Sequence, residues 1–126
     1  AICNEGAAAI AQGGMKTLRD LDLGENRILE EGAQALARGL KSNAAKLRSL
    51  DLAGNDIGPR GAAALAETLG GGLERLALRG NRIGKIGAEA LAAALKHAPR
   101  CLSALELQDN HINTPGVEAL AQHVHM

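Results

Sequence analysis

Apolar residues recur in one fixed order four times along the chain. The arrangement Leu18-x-x-Leu21-x-Leu23-x-x-Asn26-x-Ile28 returns at Leu47 to Ile57, Leu73 to Ile83 and Leu102 to Ile112. Each copy contains two leucines separated by a single residue, at Leu21 and Leu23, Leu50 and Leu52, Leu76 and Leu78, and Leu105 and Leu107. That period of two predicts a short strand with one covered face. Each copy then enters an alanine-rich stretch: Gly32 to Ala37, Gly61 to Ala66, Gly87 to Ala92 and Gly116 to Ala121. Here Leu36 and Leu40, Leu65 and Leu69, Leu91 and Leu95, and Leu120 and Val124 stand four apart, which places each pair on one face of a helix. That face is expected to be buried. Strand and helix therefore alternate, and alternation of this kind predicts a parallel sheet.

The glycines expected to open the helices, Gly6, Gly32, Gly61, Gly87 and Gly116, are separated by steps of 26, 29, 26 and 29 residues. Long and short repeats alternate, and the return loop carries the difference. Lys41 to Lys46 is roomy, whereas Gly70, Gly71 and Gly72 permit a tight reversal. A repeat of this size cannot bury its apolar face until a neighbour stacks against it, so stability is shared along the array. Alanine at the helix positions facing the sheet lets the two backbones approach closely. Extra volume there is expected to destabilise.

Asn26, Asn55, Asn81 and Asn110 occupy one aligned position just after the strands. Their expected role is structural, because an amide at a turn can bond to backbone groups otherwise left unpaired.

With Leu, Asn, Ile and Gly in register four times, the chain resembles the leucine-rich repeat family, specifically its ribonuclease-inhibitor-like class. The resemblance covers nearly the whole chain. It implies an α/β solenoid with a curved parallel sheet on the concave side and helices on the convex side. Residues 1–126 read as a single array, with a partial first repeat at 1–17 and repeats at 18–46, 47–72, 73–101 and 102–126. The chain starts inside a repeat and finishes after a helix without a divergent polar cap, so a longer array, or ends covered by partners, is expected. The resemblance further implies a protein-protein interaction module or structural subunit, as a member of a larger assembly. Its narrower alternatives are a GTPase-activating regulator resembling Ran GTPase-activating protein and a sensor segment of a NOD-like receptor.

At 126 residues the chain has the size of one domain, about 100 to 150 being common. Lys plus Arg and Asp plus Glu each number 14, so no net field steers the chain toward nucleic acid or an anionic membrane. No apolar run approaches the ~20 residues that span a bilayer, and the opening Ala1 to Glu5 has no basic segment leading into an apolar core. The two cysteines, Cys3 and Cys101, fall in the first and last repeats. Several strands at about 4.8 Å each would separate them, too far for a disulfide, which favours a reducing intracellular compartment, the cytoplasm first, over secretion. The chain has no Phe, Tyr or Trp, which excludes base stacking and leaves arginine as the one common interface anchor.

Candidate chemistry is sparse. His97, His111, His123 and His125 offer no three-ligand grouping, and a solvated terminus is the expected state of His123-x-His125. Gly80 to Ile86 superficially resembles a phosphate loop, but it has one residue too few between glycines and Ile where a magnesium-holding hydroxyl belongs. No serine or cysteine nucleophile stands beside a base, so neither catalysis nor a cofactor is expected.

The positions flanking the inward leucines are expected to point to the concave side. Across the stack they read Asp20, Ser49, Arg75 and Ala104, then Asp22, Asp51, Ala77 and Glu106, then Gly24, Ala53, Arg79 and Gln108. Arg27, Asp56, Arg82 and His111 form an outer row, with Glu25 and Asp109 beside it. This charged mosaic is the candidate protein-binding face, with the arginines as expected anchors and the open solenoid ends as a second surface.

Overall fold

The computed structural model describes residues 3–13, 16–42, 46–69, 71–97 and 102–112. Helix and strand alternate along it. They run α1 (Cys3–Gly13), β1 (Asp20–Asp22), α2 (Glu30–Leu40), β2 (Ser49–Asp51), α3 (Gly58–Ala66), β3 (Arg75–Ala77), α4 (Gly84–His97) and β4 (Ala104–Glu106). The strands form one parallel sheet in the order β1-β2-β3-β4. Each helix packs on the helix of the next repeat, so the helices form a second layer of the solenoid.

The core lies between these layers. Leu50, Leu76 and Leu105 point inward from the strand centres, and Leu52, Leu78 and the turn isoleucines Ile57 and Ile83 continue it; all seven are buried. From the helices come Leu36, Leu65 and Leu91, with Ala33, Ala62 and Ala88 where the layers approach most closely. Leu21 is only half-buried, because β1 is the edge strand of the described sheet.

Two details depart from the periodicity. The helices begin at Cys3, Glu30, Gly58 and Gly84, so Gly6, Gly32, Gly61 and Gly87 lie in or next to the first turn and do not open it. Gly32, Gly61 and Gly87 serve packing instead. A Cβ on Gly61 would stand 2.3 Å from Ile57 Cγ2 and 3.1 Å from Ala33 Cβ, and one on Gly87 would meet Ile83 Cγ2 and Ala62 Cβ in the same way. The isoleucine of each repeat and the preceding helix both need that space.

The second departure is at Leu69, which lies beyond the end of α3 at Ala66. There the backbone tightens into bonds from Thr68 N–H to Leu65 O and from Leu69 N–H to Ala66 O, and the Thr68 hydroxyl donates to Leu65 O at 2.6 Å. The tightened end keeps Leu69 buried while the chain turns toward β3. The expected last helix near Leu120, Cys101, and the His123 and His125 pair lie outside the described residues.

Candidate functional site

Strand register assembles the candidate surface. Asp20, Ser49, Arg75 and Ala104 stand side by side across the sheet, as do Asp22, Asp51, Ala77 and Glu106. Beyond the strands the same register persists, since Glu25 N–H donates to Ala53 O, Gly54 N–H to Arg79 O and Gly80 N–H to Gln108 O. Asp20, Asp22, Arg79 and Gln108 are exposed, while Ser49, Asp51, Arg75 and Glu106 are half-buried. The strand face is thus mainly polar, broken by half-buried Ala104 and buried Ala77, where the opposite face is leucine.

Its charges are unevenly matched. Arg75 lies 2.6 Å from Glu106, and Arg79 lies 3.1 Å from Asp109, so the arginines of β3 reach into the fourth repeat. Arg82 turns the other way, to Asp56 of the second repeat at 3.6 Å. These exposed pairs are each worth at most about 1 kcal/mol. They nevertheless satisfy the very guanidinium groups that the sequence offered as anchors. Asp20, Asp22, Glu25 and Asp51 make no ion pair among the described residues.

The aligned asparagines hold the turns beneath this surface. Asn55 Oδ1 accepts the N–H groups of Asn26 and Ile28 at 3.0 and 2.9 Å, while its amide donates to Leu23 O and Leu52 O. Asn110 repeats the arrangement one pair of repeats further on, accepting from Asn81 and Ile83 and donating to Leu78 O and Leu107 O. Asn81 donates to Leu52 O and Leu78 O and accepts from Ile57. Each buried amide therefore ties its own strand end to the preceding one. Among the described residues no buried side-chain nitrogen or oxygen lacks a partner.

The turns adopt left-handed backbone at corresponding positions. Glu25, Gly54, Gly80 and Asp109 have φ between 59° and 71°, and Arg27, Arg82 and His111 follow at 55° to 56°. Gly54 fits without strain, and its bare backbone also admits Glu25, whose Oε1 lies 2.2 Å from where a Cβ would be. Asp56 alone of the outer row departs from the left-handed region. Nothing in the structure explains that departure.

A groove of about 600 Å³ runs across the turns, lined by Arg27, Leu29, Gly54, Asn55, Asp56, Gly80 and Arg82. Leu29, 42% exposed within it, was not among the expected surface residues. The available signal was a departure from the repeat, since Gly58 and Gly84 hold the equivalent place after the isoleucine. Asn4 was also missed: its Oδ1 accepts from the N–H groups of Leu29 and Gly32. No group of three or more His, Cys, Asp or Glu side chains among the described residues is placed to hold a metal ion. No described helix is long and apolar enough to cross a membrane.

Stacked strand-helix units tied by asparagines define a solenoid of leucine-rich repeats. Residues 14–37, 43–66, 73–92 and 98–121 match the family model described as Leucine Rich repeat, and this protein belongs to that family. A solved structure, Leiomodin-1 Actin-Binding Site 2 (ABS2), is similar at a TM-score of 0.78 and 18% identity, covering 95% of this chain and 78% of its own. At that identity the likeness concerns the fold. No curated protein sequence matches the chain. Proteins of this family and fold are typically non-enzymatic interaction modules.

Proposed function

We propose that this chain is a protein-interaction module of the ribonuclease-inhibitor-like class, a single array that seats a partner protein on its strand face. The class is supported by the helix in every described repeat, 9 to 14 residues long in α2, α3 and α4. One observation carries the function. Register lines the non-leucine positions of four strands into rows that are polar except at Ala77 and Ala104, on the face opposite the helices, with Asp20 and Asp22 exposed and Ser49, Asp51, Arg75 and Glu106 half-buried. The reading includes no catalytic step. Neither a GTPase-activating role nor a receptor-sensor role is favoured by a particular residue, so the partner is left at the level of a protein.

Affinity capture from a native extract, compared with the Asp51→Lys/Arg79→Glu double variant, tests this reading. A defined set of proteins retained by the wild-type chain and lost by the folded variant is the expected result. Equal recovery by both would move the binding to the helices or the solenoid ends and overturn it. Actin co-sedimentation is a natural additional arm, because the printed name of the similar leiomodin-1 structure is that of an actin-binding site.

A further inference from the structure

We propose that the occupant of the strand face is a basic segment of the partner protein, rich in Lys and Arg, seated over β1 and β2. This deepens the reading above and rests on it. What carries it is the balance of charge across a sheet face that none of the described helices covers. On the β3 and β4 side Arg75 and Arg79 are neutralised by Glu106 and Asp109 within the chain. On the β1 and β2 side Asp20, Asp22, Glu25 and Asp51 make no ion pair among the described residues. The chain as a whole carries formal net charge +0, so this imbalance is local and gives the face a sign the molecule lacks.

Two further features fit a cationic occupant. Asp22 and Asp51 are paired in register on neighbouring strands, where like charges directly opposite are destabilising, and an arriving cation relieves that repulsion. Both carboxylates are already held in place, Asp22 Oδ1 by Gly24 N–H and Asp51 Oδ1 by Ala53 N–H, each at 2.9 Å. Their second oxygens make no bond among the described residues, so little ordering is left for binding to impose. Around them the surface is small, with Gly24, Ser49 and Ala53 half-buried, and the chain supplies no aromatic anchor. Long aliphatic stems can lie over such a floor while their cationic heads reach the carboxylates.

Fluorescence anisotropy of labelled hexalysine and hexaglutamate with the whole chain, at low salt, tests the sign. Hexalysine is expected to bind, to weaken as salt rises, and to lose affinity by about tenfold in Asp22→Asn/Asp51→Asn. Asparagine keeps the Oδ1 acceptor, so this variant is expected to melt no lower than wild type. A charge-matched control on the helix side, Glu5→Gln/Glu31→Gln, is expected to bind as wild type. Equal weakening by both variants, or no hexalysine binding, would overturn the proposal. Preferential binding of hexaglutamate, abolished by Arg79→Ala, would also overturn it while leaving the strand face as the binding surface. The capture experiment judges that broader reading independently.

Discussion

Asn4 caps a helix that is not its own: its side-chain oxygen accepts the backbone N–H of Gly32, in the first turn of α2, at 3.1 Å, and that of Leu29 at 2.9 Å. The residue at the α2 N-cap position, Leu29, makes no side-chain cap bond. Two donors at the helix start are thus satisfied from α1, which couples the first helix to the repeat that follows it. Gly32 permits the approach, since a Cβ there would stand 2.6 Å from Asn4 Oδ1.

Removing that cap has a definite expected cost. Asn4→Ala should destabilise the chain by about 1 kcal/mol, within the range of a lost N-cap side chain. Asn4→Asp keeps an acceptor oxygen and should recover most of it. Thermal melts of the three proteins check this, and an Asn4→Ala protein as stable as wild type would mean that water replaces the bond at no cost.

The buried amides predict a larger loss. Asn81 is 0% exposed and serves Leu52 O, Leu78 O and Ile57 N–H together. Unpaired buried polar groups cost about 1 to 3 kcal/mol each, so Asn81→Ala should cost more than about 3 kcal/mol. Asn26 is only half-buried and water can serve its position, so Asn26→Ala should cost clearly less. Urea denaturation of both variants ranks them, and equal losses would remove burial as the cause.

Much of this was legible in the sequence, for reasons particular residues make plain. Leu50 and Leu52, Leu76 and Leu78, and Leu105 and Leu107 are each separated by one residue, and a period of two has only one extended solution that buries both members of each pair. Once those leucines point inward, Asp22, Asp51 and Glu106 must share the other face, and the register sets them in one row. Which charges cancel was not legible. Arg79 meeting Asp109 and Arg82 meeting Asp56 depend on side-chain direction at left-handed turns, a property of φ that the repeat pattern does not state. Asn4 was hidden for a similar reason, because its partners lie 25 and 28 residues away.

Gly61 offers a test in which two effects oppose each other. Replacing glycine by alanine inside a helix normally stabilises by about 0.5 to 1 kcal/mol. At Gly61 the added methyl would meet Ile57 Cγ2 at 2.3 Å, a group fixed directly to Cβ that cannot swing away. Overpacking of this kind costs about 1 to 3 kcal/mol, so the clash should win and Gly61→Ala should lower the melting temperature. Ile57→Leu removes the offending Cγ2, and in that background the alanine substitution should be less harmful. Additive losses in the double variant would assign the cost to Ala33 and not to Ile57.

Arg75 and Leu76 are neighbours in β3 that face opposite ways, and their substitutions separate the face that stabilises from the face proposed to bind. Leu76 is 0% exposed in the centre of the core, so Leu76→Ala should leave a cavity costing about 2 to 5 kcal/mol. The Arg75 pair with Glu106 is short at 2.6 Å, but its side chains are 42% and 39% exposed, and solvent screening holds its worth to about 1 kcal/mol or less. Arg75→Ala should therefore shift the denaturation midpoint several-fold less than Leu76→Ala, and its small effect should shrink further as salt is raised. A salt-insensitive loss at Arg75 as large as that at Leu76 would show that the guanidinium is packed into the fold, and its stem, with its bond to Ser49 Oγ, would then be part of the structural frame and not of the polar surface.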